Sequence, residues 1–284
     1  MPIRNFSERT LTAEVLKRVG KAPDKRTRQI MQSLVKHLHA FVREARPTQE
    51  EWFQGIQFLT RTGHLCDDKR QEFILMSDTL GVSMLVDFIN YGKAGKATES
   101  TVLGPFFVEG APGMPLGASI ARPGTAGEPC AVSGTVKGLR GEAIAGALID
   151  VWEGGADGLY DVQKPDGTNL RARFRTDAQG RFNFKCITPV SYPVPHDGPV
   201  GKMLVATGRH PMRPGHLHFM IEAPGFEKLV THLFVKGDKY LGSDAVFGVK
   251  DSLIVNFGKK NAAGEATCRY DFVLKPTPRA RSRR

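Results

Sequence analysis

Residues 215–221 read G-H-L-H-F-M-I, a run that alternates along its length. On a β-strand, residues two apart project from the same face. His216 and His218 therefore stand side by side, with Leu217 and Phe219 on the opposite face. An apolar face turned to a core, with two imidazoles on its back, is how a rigid sheet presents a pair of metal ligands. It is also the pattern of two half-exposed strand histidines. Similar short runs recur at 132–136, 147–152, 181–186, 203–206, 229–235, 253–257 and 268–274. Asp-Gly and Pro-Gly turns punctuate them, at Asp166-Gly167, Asp197-Gly198 and Pro224-Gly225. Many short strands with such punctuation predict a β-sandwich or barrel.

Upstream of about residue 100 the period changes to that of helices. Ile30/Met31, Leu34/Val35, Leu38, Phe41/Val42 and Ala45 make one stripe of one helix, stopped by Pro47. Thr48-Gln49-Glu50-Glu51 has capping-box form, and Trp52, Ile56 and Leu59 continue an apolar face behind it. A further helix is predicted from Asp67 to Ile89, with an interruption at Gly81, and a shorter one from Leu11 to Val19. The fold class is therefore α+β: a helical segment over residues 1–100, then an antiparallel β-sandwich over 101–274. The Gly/Pro-rich stretch from Gly104 to Pro129 should wrap across a surface. The apolar stripes exceed what a small helical segment can hide, so a homodimer through residues 1–100 is expected.

Composition narrows the class. The chain has 284 residues, 40% hydrophobic and 24% charged, which excludes a disordered chain, a collagen and a disulfide scaffold. No run approaches the roughly 18 apolar residues of a membrane span. The N-terminal M-P-I-R-N-F-S-E-R-T lacks the apolar region of a secretory signal. Cys66, Cys130, Cys186 and Cys268 form no C-x-x-C pair and read as reduced, buried thiols, so a cytoplasmic location is expected. The net charge of +11 invites a nucleic-acid reading, but five positive charges fall in the last ten residues, 275–284. That stretch reads as a solvated, disordered basic tail, and no nucleic-acid partner is expected.

Tyr160 and Tyr192 are two of only five tyrosines. Each lies in a loop shaped by glycine or proline, W-E-G-G-A-D-G-L-Y-D-V-Q and T-P-V-S-Y-P-V-P-H-D-G. Taken singly, each reads as a structural corner. Taken in order with Arg213 and His216-x-His218, they resemble the intradiol ring-cleaving catechol dioxygenases, and the resemblance runs from about Asp87 to Phe257. The strings 98–112 (T-E-S-T-V-L-G-P-F-F-V-E-G-A-P), 191–201 (S-Y-P-V-P-H-D-G-P-V-G) and 234–253 (F-V-K-G-D-K-Y-L-G-S-D-A-V-F-G-V-K-D-S-L) are similar to the hydroxyquinol 1,2-dioxygenase branch.

The resemblance implies a helical dimerisation segment before a β-sandwich, and one non-haem ferric ion per subunit held by Tyr160, Tyr192, His216 and His218. It implies that Tyr192 leaves the metal when substrate binds and that Arg213 steadies the carbanion-like ring. A free phenol titrates near 10, and a highly charged cation inverts that preference. Two phenolates and a hydroxide would balance three positive charges. The implied reaction joins hydroxyquinol (benzene-1,2,4-triol) and dioxygen to give 3-hydroxy-cis,cis-muconate, which tautomerises to maleylacetate. Catechol or a chlorocatechol is the alternative substrate.

The same resemblance places Leu75 and Asp78 in the ring pocket, with Val102, Leu103, Gly104, Pro105 and Phe106 as the next wall. Val194, Pro195 and Val246 close it. Asp78 is a candidate acceptor for the third hydroxyl, which catechol lacks. The family also tends to hold a lipid between its helices. Two features depart from the family's usual pattern: Gly215, where an alanine is usual, and the glycine-rich G-G-A-D-G before Tyr160. Two rival readings stay open at this point. One is a cupin-like metal dioxygenase using His216, His218, Glu222 and His232, and the other is a non-catalytic β-sandwich binding protein.

Overall fold

The structure is a computed structural model that describes residues 5–68, 70–92, 95–165 and 167–277. Residues 278–284 of the basic tail and Asp166 of the first Asp-Gly turn lie outside the described residues. The chain divides into two compact units, residues 1–60 and 61–284.

The first unit is helical. It contains α1 (Leu11–Val19), α2 (Lys25–Ala45) and most of α3 (Gln49–His64). The Asp24 side chain caps α2 by accepting from the Thr27 N–H at 2.6 Å. The capping box opens α3 as the sequence predicts: Thr48 N–H donates to Glu51, and Glu51 N–H to the Thr48 hydroxyl. No residue of α1 or α2 is buried, and Ile30, Leu34, Leu38, Phe41 and Val42 of α2 are all exposed.

The second unit takes in the end of α3, then α4 (Glu72–Thr79) and α5 (Val82–Tyr91). Gly81 separates them in a left-handed conformation (φ 74°), which explains why the long predicted helix breaks there. Twelve strands follow among the described residues: β1 (Pro129–Gly138), β2 (Leu148–Trp152), β3 (Arg171–Arg175), β4 (Arg181–Ile187), β5 (Tyr192–Pro193), β6 (Met212–Arg213), β7 (His216–Glu222), β8 (Leu229–Val235), β9 (Ile254–Val255), β10 (Lys259–Lys260), β11 (Ala266–Arg269) and β12 (Phe272–Leu274). One sheet runs β10-β11-β1-β12 with β4 on the other side of β1, and the second runs β3-β2-β7-β8-β9. The pairings are mostly antiparallel, with parallel ones at β1–β11, β1–β12 and β8–β9. A two-stranded ribbon, β5–β6, stands apart.

The two large sheets enclose one core. Val132, Phe182, Phe184 and Phe272 come from the first, and Ile149, Phe174, Leu217, Phe219 and Ile221 from the second. Phe219 meets Phe272 at 4.8 Å between ring centres, and Phe174 stacks on Phe184 at 5.2 Å.

The run 203–206, read as a strand, belongs instead to helix α6 (Pro199–Ala206). Periodicity cannot separate helix from strand over four apolar residues. The deciding signals are Pro199 at the first helical turn and the buried Glu72 carboxylate, which accepts from the Val200 N–H at 3.2 Å. The strand expected at 253–257 shortens to β9, and the one at 268–274 breaks at Tyr270-Asp271 into β11 and β12.

Candidate metal centre

Alternation along β7 sends Leu217, Phe219 and Ile221 into the core and turns His216 and His218 to the outer face of the sheet. Neither histidine meets solvent, because loops cover them. His216 Nδ1 lies 2.7 Å from the Pro214 carbonyl, to which it donates, so Nε2 carries the ring's lone pair. His218 is oriented by stacking: the Trp152 indole lies 4.7 Å away and 15° from parallel. Trp152 is the register partner of His218 across β2–β7, so the pairing itself delivers the stack.

Tyr160 follows the glycine-rich turn after β2 and caps a single 3₁₀ turn, Asp161–Gln163, with its N–H donating to Gln163 at 2.9 Å. Asp161 forms a buried ion pair with Arg171, whose Nη2 also donates to the Phe106 carbonyl at 3.1 Å. That arginine thereby ties the Tyr160 turn to Phe106, and the Phe106 ring stacks on Tyr160 at 4.4 Å. Tyr192 reaches the site from the ribbon, where its register partner is Arg213.

The four oxygen and nitrogen atoms converge. Tyr160 Oη is 2.7 Å from His218 Nε2 and 3.1 Å from Tyr192 Oη. Tyr192 Oη is 3.4 Å from His216 Nε2, and the two Nε2 atoms are 3.1 Å apart. Burial pushes both phenols above their ordinary value. It pushes His216 down to about 3 and His218 well below the usual imidazole range. Neutral imidazole lone pairs and two phenols that would ionise only beside strong positive charge suit a hard, highly charged cation. The donor set fits ferric iron.

Arg213 places Nη1 3.4 Å from Tyr192 Oη and 3.0 Å from His216 Nε2. Leu75, Val102, Val194 and Val246 pack in one buried cluster. Leu75, Pro105, Phe106, Val194 and Pro195 line a cavity of about 460 Å³, together with Arg70, Gln163 and Asp197. Asp78 is buried one helical turn beyond Leu75, and burial pushes its carboxyl up from the ordinary value. Gly104 sits against His218, with room for a Cβ only 3.6 Å from the ring, and Leu103 beside it is 40% exposed.

His232 joins His216 and His218 in a cluster of buried imidazoles, a placement the rival reading alone suggested. Its ring lies 4.6 Å from that of His216 and 4.2 Å from that of His218. Glu222 does not join them: its carboxylate pairs with Lys228 at the surface. The cupin-like ligand set is therefore not assembled, whereas the two tyrosines are.

Gly215 has a steric reason. A Cβ there would lie 2.6 Å from the Pro189 carbonyl oxygen, so the 189–190 backbone can approach β7 only because the residue is glycine. Two participants escaped the sequence reading. Asp244 binds Arg213 across 31 residues, a pairing that carries no local signal. Trp152 becomes visible only once the β2–β7 register is known.

Residues 24–98 match the family described as "Catechol dioxygenase N terminus", and residues 102–276 that described as "Dioxygenase". The chain is 52% identical to 6-chlorohydroxyquinol 1,2-dioxygenase of Cupriavidus pinatubonensis, over 97% of its own length and 100% of that protein. It is 50% identical to hydroxyquinol 1,2-dioxygenase of Nocardioides simplex, over 95% of this chain and 96% of that one. The solved structure of hydroxyquinol 1,2-dioxygenase from Pseudomonas putida matches with a TM-score of 0.87 and 49% identity, covering 95% of this chain and 99% of that one.

Proposed function

Because the chain belongs to the intradiol ring-cleavage dioxygenases, a family of non-haem iron enzymes, we propose that it opens hydroxyquinol between its two adjacent hydroxylated carbons. Both atoms of dioxygen enter the product, 3-hydroxy-cis,cis-muconate, which tautomerises to maleylacetate. The observation that carries this reading is the convergence of two phenol oxygens and two imidazole nitrogens, from three separate elements, on one buried point.

Tyr160, Tyr192, His216 and His218 would hold one ferric ion per subunit. That ion would supply Lewis acidity toward a catecholic substrate. The protein's own groups do the rest. Tyr192 Oη accepts a substrate proton, and Arg213 keeps a fixed positive charge beside it. Leu75, Val102, Pro105, Phe106, Val194, Pro195 and Val246 exclude water around the ring, with Gly104 and Leu103 completing the loop that carries this wall.

Asp78 accepts the hydrogen bond of the third hydroxyl. A carboxyl keeps an acceptor oxygen in either protonation state, so its raised titration does not remove the contact. A site built around a substrate hydroxyl discriminates better than an apolar slot. The iron-loaded protein should be red from tyrosinate-to-iron charge transfer. It should turn over hydroxyquinol faster than catechol, with 6-chlorohydroxyquinol as a third arm of the assay. Losing a buried hydrogen bond costs about 1–3 kcal/mol, so Asp78→Ala should narrow the hydroxyquinol-to-catechol ratio of kcat/KM roughly five- to 150-fold, with iron retained. Catechol preferred by the native enzyme would refute the substrate. A yellow semialdehyde product would refute intradiol cleavage itself.

The working unit is a homodimer through residues 1–100, and its apolar helical faces are where a lipid chain would bind. The two family matches meet between residues 98 and 102, which supports that functional division of the chain. Four free cysteines fit a reducing, cytoplasmic setting, and no described helix is long and apolar enough to cross a membrane.

A further inference from the structure

We infer that Asp244 is a positioning residue for Arg213, fixing the guanidinium so that a single nitrogen, Nη1, is presented to the Tyr192 oxygen. The inference rests on the reading of Tyr192 and Arg213 given above and adds what makes Arg213 effective.

Arg213 sits on the two-residue strand β6 and is almost fully buried. An arginine side chain has several rotatable bonds and five N–H groups, so nothing in the strand alone decides which nitrogen faces the phenol. Asp244 decides it. One carboxylate oxygen takes Nε at 3.0 Å and the other takes Nη2 at 3.2 Å, a two-point grip that defines the guanidinium plane. Only Nη1 remains, 3.4 Å from Tyr192 Oη and 3.0 Å from His216 Nε2. The His216 lone pair is the one a cation takes. Nη1 is then left with the Tyr192 oxygen, the proton acceptor of the proposed reaction.

Asp244 is itself held from behind. Its oxygens accept from the Val246 N–H at 3.3 Å and the Gly248 N–H at 2.9 Å. The N–H of Ala245, its neighbour, donates to the Met212 carbonyl at 3.1 Å and so ties the loop to β6. Burial opposes its charge, but the Arg213 guanidinium, the His216 ring and the Gly248 N–H together outweigh burial and keep the carboxyl below the usual range. Gly248 leaves room for the grip. A Cβ there would stand 3.1 Å from Arg213 Nη2 and 3.2 Å from Asp244 Oδ2. The same carboxylate thus sets both the arginine and, through Val246, one wall of the ring pocket.

The test is a double-mutant cycle on the iron-loaded protein, with Arg213→Met, Asp244→Asn and both together. Iron content, thermal unfolding, the charge-transfer maximum, kcat and KM are measured for each. Asp244→Asn should keep its iron, shift the charge-transfer band and lower kcat about 10- to 100-fold, the scale of an ångström-level misplacement, with KM moving less. In the Arg213→Met background it should add no further loss, because the group it acts through is gone. Additive losses in kcat, or a native band and kcat in Asp244→Asn, would overturn the inference. If Asp244→Asn does not fold, Gly248→Ala keeps both charges and presses a methyl on the pair. It should shift the band in the same direction, and a native band and kcat there overturn the inference equally. A colourless, inactive native protein would instead sink the ferric reading, and this inference with it.

Discussion

Glu153 directly follows the strand that carries Trp152, and it is buried to 1% exposure. One carboxyl oxygen accepts from the Ile187 N–H at 3.1 Å, and the other has no partner among the described residues. Burial pushes this carboxyl well above its ordinary value of 4.5. The folded protein therefore keeps a proton that the unfolded chain gives up, and stability falls as pH rises above about 4.5 through the window up to the raised value. Glutamine keeps the acceptor and carries no titrating proton. Glu153→Gln should raise the melting temperature relative to the native protein by more at pH 8 than at pH 5, read by calorimetry at both. A difference that does not change with pH would contradict a neutral Glu153.

At the scale of elements, the strand β7 and the loop before Tyr192 share a tight contact. Gly215 stands where the 189–190 backbone crosses, two residues before the ribbon that carries Tyr192. Overpacking a tight site costs about 1–3 kcal/mol, so Gly215→Ala should lower stability by that amount in urea unfolding. It should also weaken iron retention by pushing the Tyr192 loop outward. Unchanged stability and iron content would show that the loop yields freely. The same strand explains what the sequence discloses. His216 and His218 are legible because period two is a local property that survives any tertiary context. Tyr160 and Tyr192 are legible only as a set, since each alone sits in a loop that many corner tyrosines occupy. The run 203–206 misleads because four apolar residues satisfy both periods, and the carboxylate that favours the helix comes from Glu72, far upstream. Asp244 and Trp152 stay hidden because their roles are created by pairings across the fold.

At the scale of the whole molecule, the helical unit leaves a question of partners. None of the 21 residues of α2 is buried, and α3 exposes Trp52, Phe53, Ile56 and Leu59. In the second unit, Leu85, Val86, Phe88 and Ile89 of α5 are exposed as well. Apolar patches of this extent mark association surfaces. Light scattering at micromolar concentration should give twice the chain mass, and Phe41→Glu should shift it toward one chain while the ultraviolet circular dichroism stays native. A native protein that runs as a single chain would remove the dimer.

The placement of the two histidines on the strand that fills the sandwich core has a consequence for fidelity. Were β7 to pair one residue out of step, Leu217 and Phe219 would turn to the loops and the imidazoles would be driven into the core. That error cannot be partial. The hydrophobic energy that rejects a misregistered sheet also rejects a misassembled ligand pair, so folding acts as the site's own proofreader. Molecules with an intact sandwich and scrambled histidines should not accumulate.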